Sequence, residues 1–214
     1  MIPLKNNIHS RHFPLINYLL ILVNSGIFAY QLRLNYFHQL DNFVFNWAVI
    51  PVKLIEHPGL EWPTLFGSMF LHGGWLHLLG NMLYLYIFGN NVEDKLGHLR
   101  YLIFYLTCGL LAGITQIYMF PQSAVPLIGA SGAIAGIMGA YFFLHPFSRI
   151  RTLIPIWFFW KIVEIPAFFY LAFWFVLQLY TSHLSPAAAQ GGVAWWAHIG
   201  GFLSGGLLLF FFRR

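Results

Sequence analysis

VPLIGASGAIAG, residues 125–136, sets one serine, Ser131, among glycines and alanines. Small residues in an apolar run let two helix backbones approach closely, the usual device for packing helices in lipid. A serine in such a run either bonds its own backbone or, given a base, becomes a nucleophile. The surroundings of the stretch decide between these readings. The 214-residue chain is 59% hydrophobic and 20% aromatic, and only 8% of it is charged. A soluble domain carries about 25% charged residues, so these few charges cannot cover a water-facing surface. The composition points to an all-α membrane protein that crosses the bilayer several times.

Six apolar segments follow one another, at roughly 14–33, 65–89, 101–119, 131–146, 163–180 and 194–212. Each is near the length of a bilayer-spanning helix, with the fourth the shortest. The polar, basic start MIPLKNNIHSRHF, residues 1–13, runs into the first segment without a small-residue cleavage site, so it reads as a cytoplasmic N-terminal segment and not a leader. Residues 14–214 are then expected to form one transmembrane domain, with no extramembrane domain at either end. The long connection 34–64 holds DNFVFNWAVIPV, residues 41–52, and is expected to lie in the membrane interface. Of the 11 lysines and arginines, nine fall on the side shared by both termini and two, Arg33 and Lys53, on the other. The positive-inside rule therefore places both termini in the cytoplasm. The outward connections 120–130 and 181–193 carry no Asp, Glu, Lys or Arg. The formal charge of +5 belongs with cytoplasmic lysine and arginine, not with nucleic-acid binding. The lone Cys108 excludes an intrachain disulfide and a cysteine metal cluster.

Polar groups inside spans are costly and face an interior or a water-filled cavity. Three outward helix ends carry them: LHGGWLHLLGN (71–81) with His72, His77 and Asn81, the Ser131 stretch, and WWAHIGGFLSGG (195–206) with His198. His77 and Asn81 are four residues apart and share one helix face. Gly201 and Gly205 lie on the same stripe as His198, so that stripe can approach the small residues after Ser131. Alone, each piece is ordinary: His72 a structural hydrogen-bonder, the His77–Asn81 pair helix glue, Ser131 a packing residue. Together they supply a nucleophile, a base and donors for an oxyanion at one depth. The Ser131 amide, at a helix start, adds a further donor. No aspartate shares this depth, so the chemistry is that of a Ser–His dyad with His198 oriented by packing. No carboxylate or cysteine completes a metal set with the histidines.

GASGAIAG around Ser131, HLLGN at 77–81 and AHIGGFLSGG at 197–206 together resemble the rhomboid family of intramembrane serine proteases. SMFLHGGWLHLLGNMLYLYIFGNNVEDKLG, residues 68–97, is similar to the rhomboid second span and the loop after it. The resemblance covers about residues 44–212 and implies a six-transmembrane-helix, rhomboid-like bundle whose cavity opens outward. It implies Ser131 as nucleophile and His198 as general base, with His77, Asn81 and the Ser131 amide forming the oxyanion hole. His72, Gly129, Gly201 and Gly205 become supporting positions, and Glu93 matches a structural cytoplasmic turn. The implied substrates are single-span membrane proteins within the lipid bilayer, with no metal, nucleotide or other cofactor. Two positions depart from the family pattern. Pro63-Thr64 stands where many members carry Trp-Arg in the first outward loop. Ala135 stands where some carry a tyrosine that stacks on the catalytic histidine, so His198 must be held by another group.

The fifth segment, AFFYLAFWFVLQLY (167–180), is bulky and suits a gate for lateral substrate entry past the second. A client-binding pseudoprotease would usually have lost the serine or the histidine, and both are present. A transporter would need an acid in the outward half of the bundle and matching broken repeats, and neither is found. The expected location is the bacterial inner membrane, with the site facing outward.

Overall fold

The computed structural model describes residues 1–157, 159–184 and 192–213. Residues 185–191 of the outward connection 181–193 lie outside this set, as does Arg214.

The chain opens with strand β1 (Ile2–Asn6) and the long helix α1 (Leu15–Tyr36). Four short helices fill the long connection and its end: α2 (Leu40–Trp47), α3 (Pro51–Glu56), α4 (Pro58–Glu61) and α5 (Thr64–Gly67). A single 3₁₀ turn, Ser68–Phe70, leads into α6 (Trp75–Tyr84), which continues through a π turn at Leu85–Gly89 into α7 (Asn90–Leu96). Then come α8 (His98–Met119), α9 (Ser131–Leu144), strands β2 (Arg149–Ile156) and β3 (Phe159–Pro166), α10 (Ala167–Leu184) and α11 (Trp195–Phe212).

Among the described residues, four helices, α1, α8, α10 and α11, are long and apolar enough to cross a membrane. The other two apolar segments differ from expectation. The stretch 65–89 is not one continuous helix, because Gly73 and Gly74 interrupt it and the helix that follows starts only at Trp75. That helix runs on past Gly89 into the polar turn of α7. Helix α9 has 14 residues, about 21 Å at 1.5 Å per residue, short of a hydrocarbon core about 30 Å thick. It is the central element instead: every residue from Gly132 to Tyr141 is buried.

The connection between the fourth and fifth segments is a β-hairpin and not a loop. β2 and β3 pair antiparallel from Arg149↔Pro166 to Ile156↔Phe159, and β1 adds itself to β2, giving the order β1-β2-β3. Ile150, Ile154, Ile162, Val163 and Ile165 are β-branched residues that favour this state over helix. Their apolarity also blurs the start of the fifth segment, which is helical only from Ala167, after Pro166.

Polar side chains satisfy the places where the helices are irregular. A π turn leaves carbonyls without their usual partners. Asn17 Nδ2 donates to Leu85 O at 3.0 Å and Asn6 Nδ2 donates to Ile87 O, so α1 and β1 close this gap. Tyr101 OH in turn donates to Asn17 Oδ1 at 2.6 Å. Glu93, almost wholly buried, accepts the amides of Ile16 and Asn17 at 2.9 and 2.7 Å. A carboxylate at a helix N-terminus meets free N–H groups and the positive end of the dipole. Asp94 accepts the Arg11 and His12 amides at 3.0 and 2.9 Å. Desolvation pushes its carboxyl up, but these bonds and the His12 ring outweigh that and hold it below the usual carboxylate range.

Helices α9 and α11 form the most extensive helix pair. A Cβ at Gly201 would run into the Gly132 carbonyl oxygen, one at Gly205 into that of Gly136, and one at Gly139 into that of Phe202. The two backbones therefore touch over successive turns, as the small-residue stripes require.

Candidate active site

Ser131 is the first residue of α9. The chain reaches it through Gly129, whose φ of +120° disfavours any side chain. The Gly129 amide donates to Ser68 O at 2.8 Å, and Val49 and Leu127 exchange backbone bonds of 3.2 and 2.7 Å. The first long connection and the 3₁₀ turn thus fix the loop that delivers Ser131. His198 lies in the first turn of α11, and the close α9–α11 seam brings its Nε2 to 2.9 Å from Ser131 Oγ.

Three further contacts hold the imidazole. His198 Nδ1 lies 2.8 Å from Gln178 Oε1 on α10. The Trp174 ring, also on α10, packs beside it at 5.8 Å between centroids, and Trp195 meets it edge-on at 6.0 Å. The expectation that packing alone orients His198 is therefore incomplete. Ala135 offers no ring to stack on the histidine. It is fully buried in the α9–α11 seam, next to Gly201. The histidine is flanked from α10 instead. Neither Gln178 nor Trp174 was singled out from the sequence. The available signal was a lone amide in the aromatic run AFFYLAFWFVLQLY.

His77 and Asn81 project from one face of α6 beside Gly129: a Cβ on Gly129 would come within 2.6 Å of His77 Nε2 and 3.7 Å of Asn81 Nδ2. His77 Nδ1 accepts the Gly73 amide at 3.3 Å. With that nitrogen an acceptor, the neutral ring carries its proton on Nε2, the atom turned toward the serine loop. Asn81 Nδ2 is buried without a hydrogen-bond partner among the described residues. The Ser131 amide, in the first turn of α9, has no acceptor within its helix. His72 is buried behind them, edge-on to His77 at 5.1 Å. Gln31 of α1 binds both its backbone groups, accepting from N at 2.9 Å and donating to O at 3.1 Å.

Ser131, His198, His77, Asn81, Trp174 and Tyr84 line one cavity of about 670 Å³. The hydroxyl of Tyr84, one of these lining residues, lies 2.9 Å from that of Tyr170, and the pair joins α6 to α10.

A mostly helical, strongly apolar chain with four helices of crossing length is an integral membrane protein, and this one carries a Ser–His contact inside a cavity. The chain belongs to the rhomboid family: the family model described as the rhomboid domain matches residues 59–214. It is similar to Rhomboid-like protein 11, chloroplastic, of Arabidopsis thaliana, with 32% identity over 118 residues, 55% of this chain and 38% of that protein. RHOMBOID-like protein 5 of the same plant is 32% identical over 158 residues, 74% of this chain and 46% of that protein. Rhomboid protease GluP of Bacillus subtilis is 38% identical over 96 residues, 44% of this chain and 18% of that protein. In each case the matched stretch spans less than half of the relative's length.

Proposed function

We propose that this chain is an intramembrane serine endopeptidase that cuts single-span membrane proteins in or near their transmembrane segments. The observation that carries this reading is the 2.9 Å contact between Ser131 Oγ and His198 Nε2 at the start of a buried helix, inside a cavity. The similarity to a named rhomboid protease supports it.

In this reading Ser131 Oγ attacks the scissile carbonyl carbon while its proton passes to His198 Nε2. The oxyanion that forms is met by the Ser131 amide, His77 Nε2–H and Asn81 Nδ2, donors that are in place before charge develops. The C–N bond breaks, the imidazolium returns its proton to the leaving amine, and an acyl-enzyme remains on Ser131. Water, deprotonated by His198, then hydrolyses the ester. The substrate must be unwound at the cut, since helical carbonyls are engaged in hydrogen bonds, and it enters between α6 and α10. His72, Gly129, Gly201 and Gly205 support this arrangement without taking part in the chemistry.

For the membrane arrangement, the α6–α7 run and α9 serve as the second and fourth of six spans, with residues 14–214 forming one domain. Residues 1–13 and both termini then lie in the cytoplasm of a bacterial cell, on the inner membrane, and the site faces outward. Cysteines placed at Ser10 and Ser123 of a Cys108→Ala chain test this orientation. An impermeant maleimide applied from outside should label the second and spare the first; the reverse pattern would refute it.

A fluorophosphonate probe tests the chemistry. It should label the wild-type chain on Ser131, leave Ser131→Ala unlabelled, and react far more slowly with His198→Ala. Labelling at another serine, or labelling indifferent to His198, would contradict the reading.

A further inference from the structure

We propose that Gln178 is a positioning residue for His198, so that a helix bordering the substrate entry supplies the third member of the catalytic set; this rests on the proteolytic reading above. The amide of Gln178 is buried, and its two ends are distinguishable by what they meet. One end lies 3.1 Å from the Trp174 carbonyl oxygen, which can only accept, so that end is the Nε2 donor. The other end, Oε1, therefore faces His198 Nδ1, at 2.8 Å. An amide oxygen can only accept, so Nδ1 must carry the proton of the neutral imidazole. The lone pair is then on Nε2, the nitrogen 2.9 Å from Ser131 Oγ. That is the only neutral tautomer able to take the serine proton.

The chain of constraints runs from a backbone carbonyl through one side-chain amide to the ring, and each step leaves one choice of donor and acceptor. In a triad a buried carboxylate selects this tautomer and also stabilises the imidazolium. Gln178 provides the selection without placing a charge in the membrane, where an unpaired carboxylate would be costly. Trp174, one turn earlier on the same helix, packs beside the ring and limits its rotation. Both contacts come from α10, so a displacement of α10 that widens the entry also withdraws Gln178 and Trp174 from His198. Serine activation is then strongest when α10 is seated.

The test compares Gln178→Leu and Gln178→Glu with wild type, Ser131→Ala and His198→Ala, using cleavage of a single-span substrate in proteoliposomes. Leucine preserves bulk but removes the acceptor. Because a general base contributes about 10²- to 10⁴-fold, kcat should fall roughly tenfold or more in Gln178→Leu, with KM within about twofold of wild type. Glutamate restores an acceptor for Nδ1 but loses the donor to the Trp174 carbonyl, so activity should recover in part, above that of Gln178→Leu. Its charge beside the ring should also move the acidic limb of the kcat/KM profile to higher pH. Thermal unfolding in detergent shows whether each variant is folded. A folded Gln178→Leu with wild-type kcat, or Leu and Glu variants that lose activity alike with a raised KM, would overturn the assignment while leaving the protease reading intact. If the wild-type chain cleaves no better than Ser131→Ala, the proteolytic reading fails, and this inference with it.

Discussion

Asn81 faces the cavity with a buried donor that has no partner among the described residues, an expensive state unless a ligand or intermediate meets it. If that intermediate is the oxyanion, Asn81→Ala should lower kcat by about 10²- to 10³-fold while KM changes little. Steady-state cleavage assays of the folded variant check this. A loss confined to KM would instead mark Asn81 as a substrate-binding group. At this scale the sequence was most legible where spacing carries the meaning. Four residues between His77 and Asn81 put both on one face of α6, and the small residues on either side of the α9–α11 seam foretold the approach of His198 to Ser131. Gln178 was not legible, since it acts on a residue 20 positions away. Neither end of that contact has a local pattern, and the geometry depends on how α10 seats against α11.

The seam between α9 and α11 sets the serine–histidine distance, and it depends on backbone contact at Gly132, Gly136, Gly139, Gly201 and Gly205. Gly205→Val would place a branched side chain where the Gly136 carbonyl oxygen lies. Overpacking of this kind costs about 1–3 kcal/mol. The variant should unfold at a lower temperature in detergent and lose activity through a displaced His198. An unchanged midpoint with full activity would mean that the seam can open without consequence. Helix-scale expectations failed in two places for physical reasons. Hydropathy does not see that Gly73-Gly74 breaks the second apolar segment. It also does not separate a β-branched hairpin from the start of a span, so β2 and β3 were read as loop and helix. The pairing of β1 with β2 joins residues about 150 positions apart, which no local pattern announces.

Over the whole molecule, composition alone decided the class, because 8% charged residues cannot cover a soluble surface. Membership of the rhomboid family agrees with the motifs around Ser131, His77–Asn81 and His198, and the matched region 59–214 contains all of them. The N-terminal 58 residues lie outside that match, yet they are built into the structure. Asn6 and Asn17 satisfy the carbonyls of the π turn, the N-terminus of α1 rests on Glu93, and Gln31 holds the backbone of His72. Residues 1–13 also supply β1, the strand that widens the hairpin sheet. The most direct measurement of the central claim is cleavage of a single-span substrate by the purified chain in proteoliposomes, beside Ser131→Ala and His198→Ala. Wild type should cleave within or next to the transmembrane segment, and neither folded variant should cleave above background. Undiminished cleavage by Ser131→Ala, or no cleavage by a wild-type chain that still binds its substrates, would contradict it.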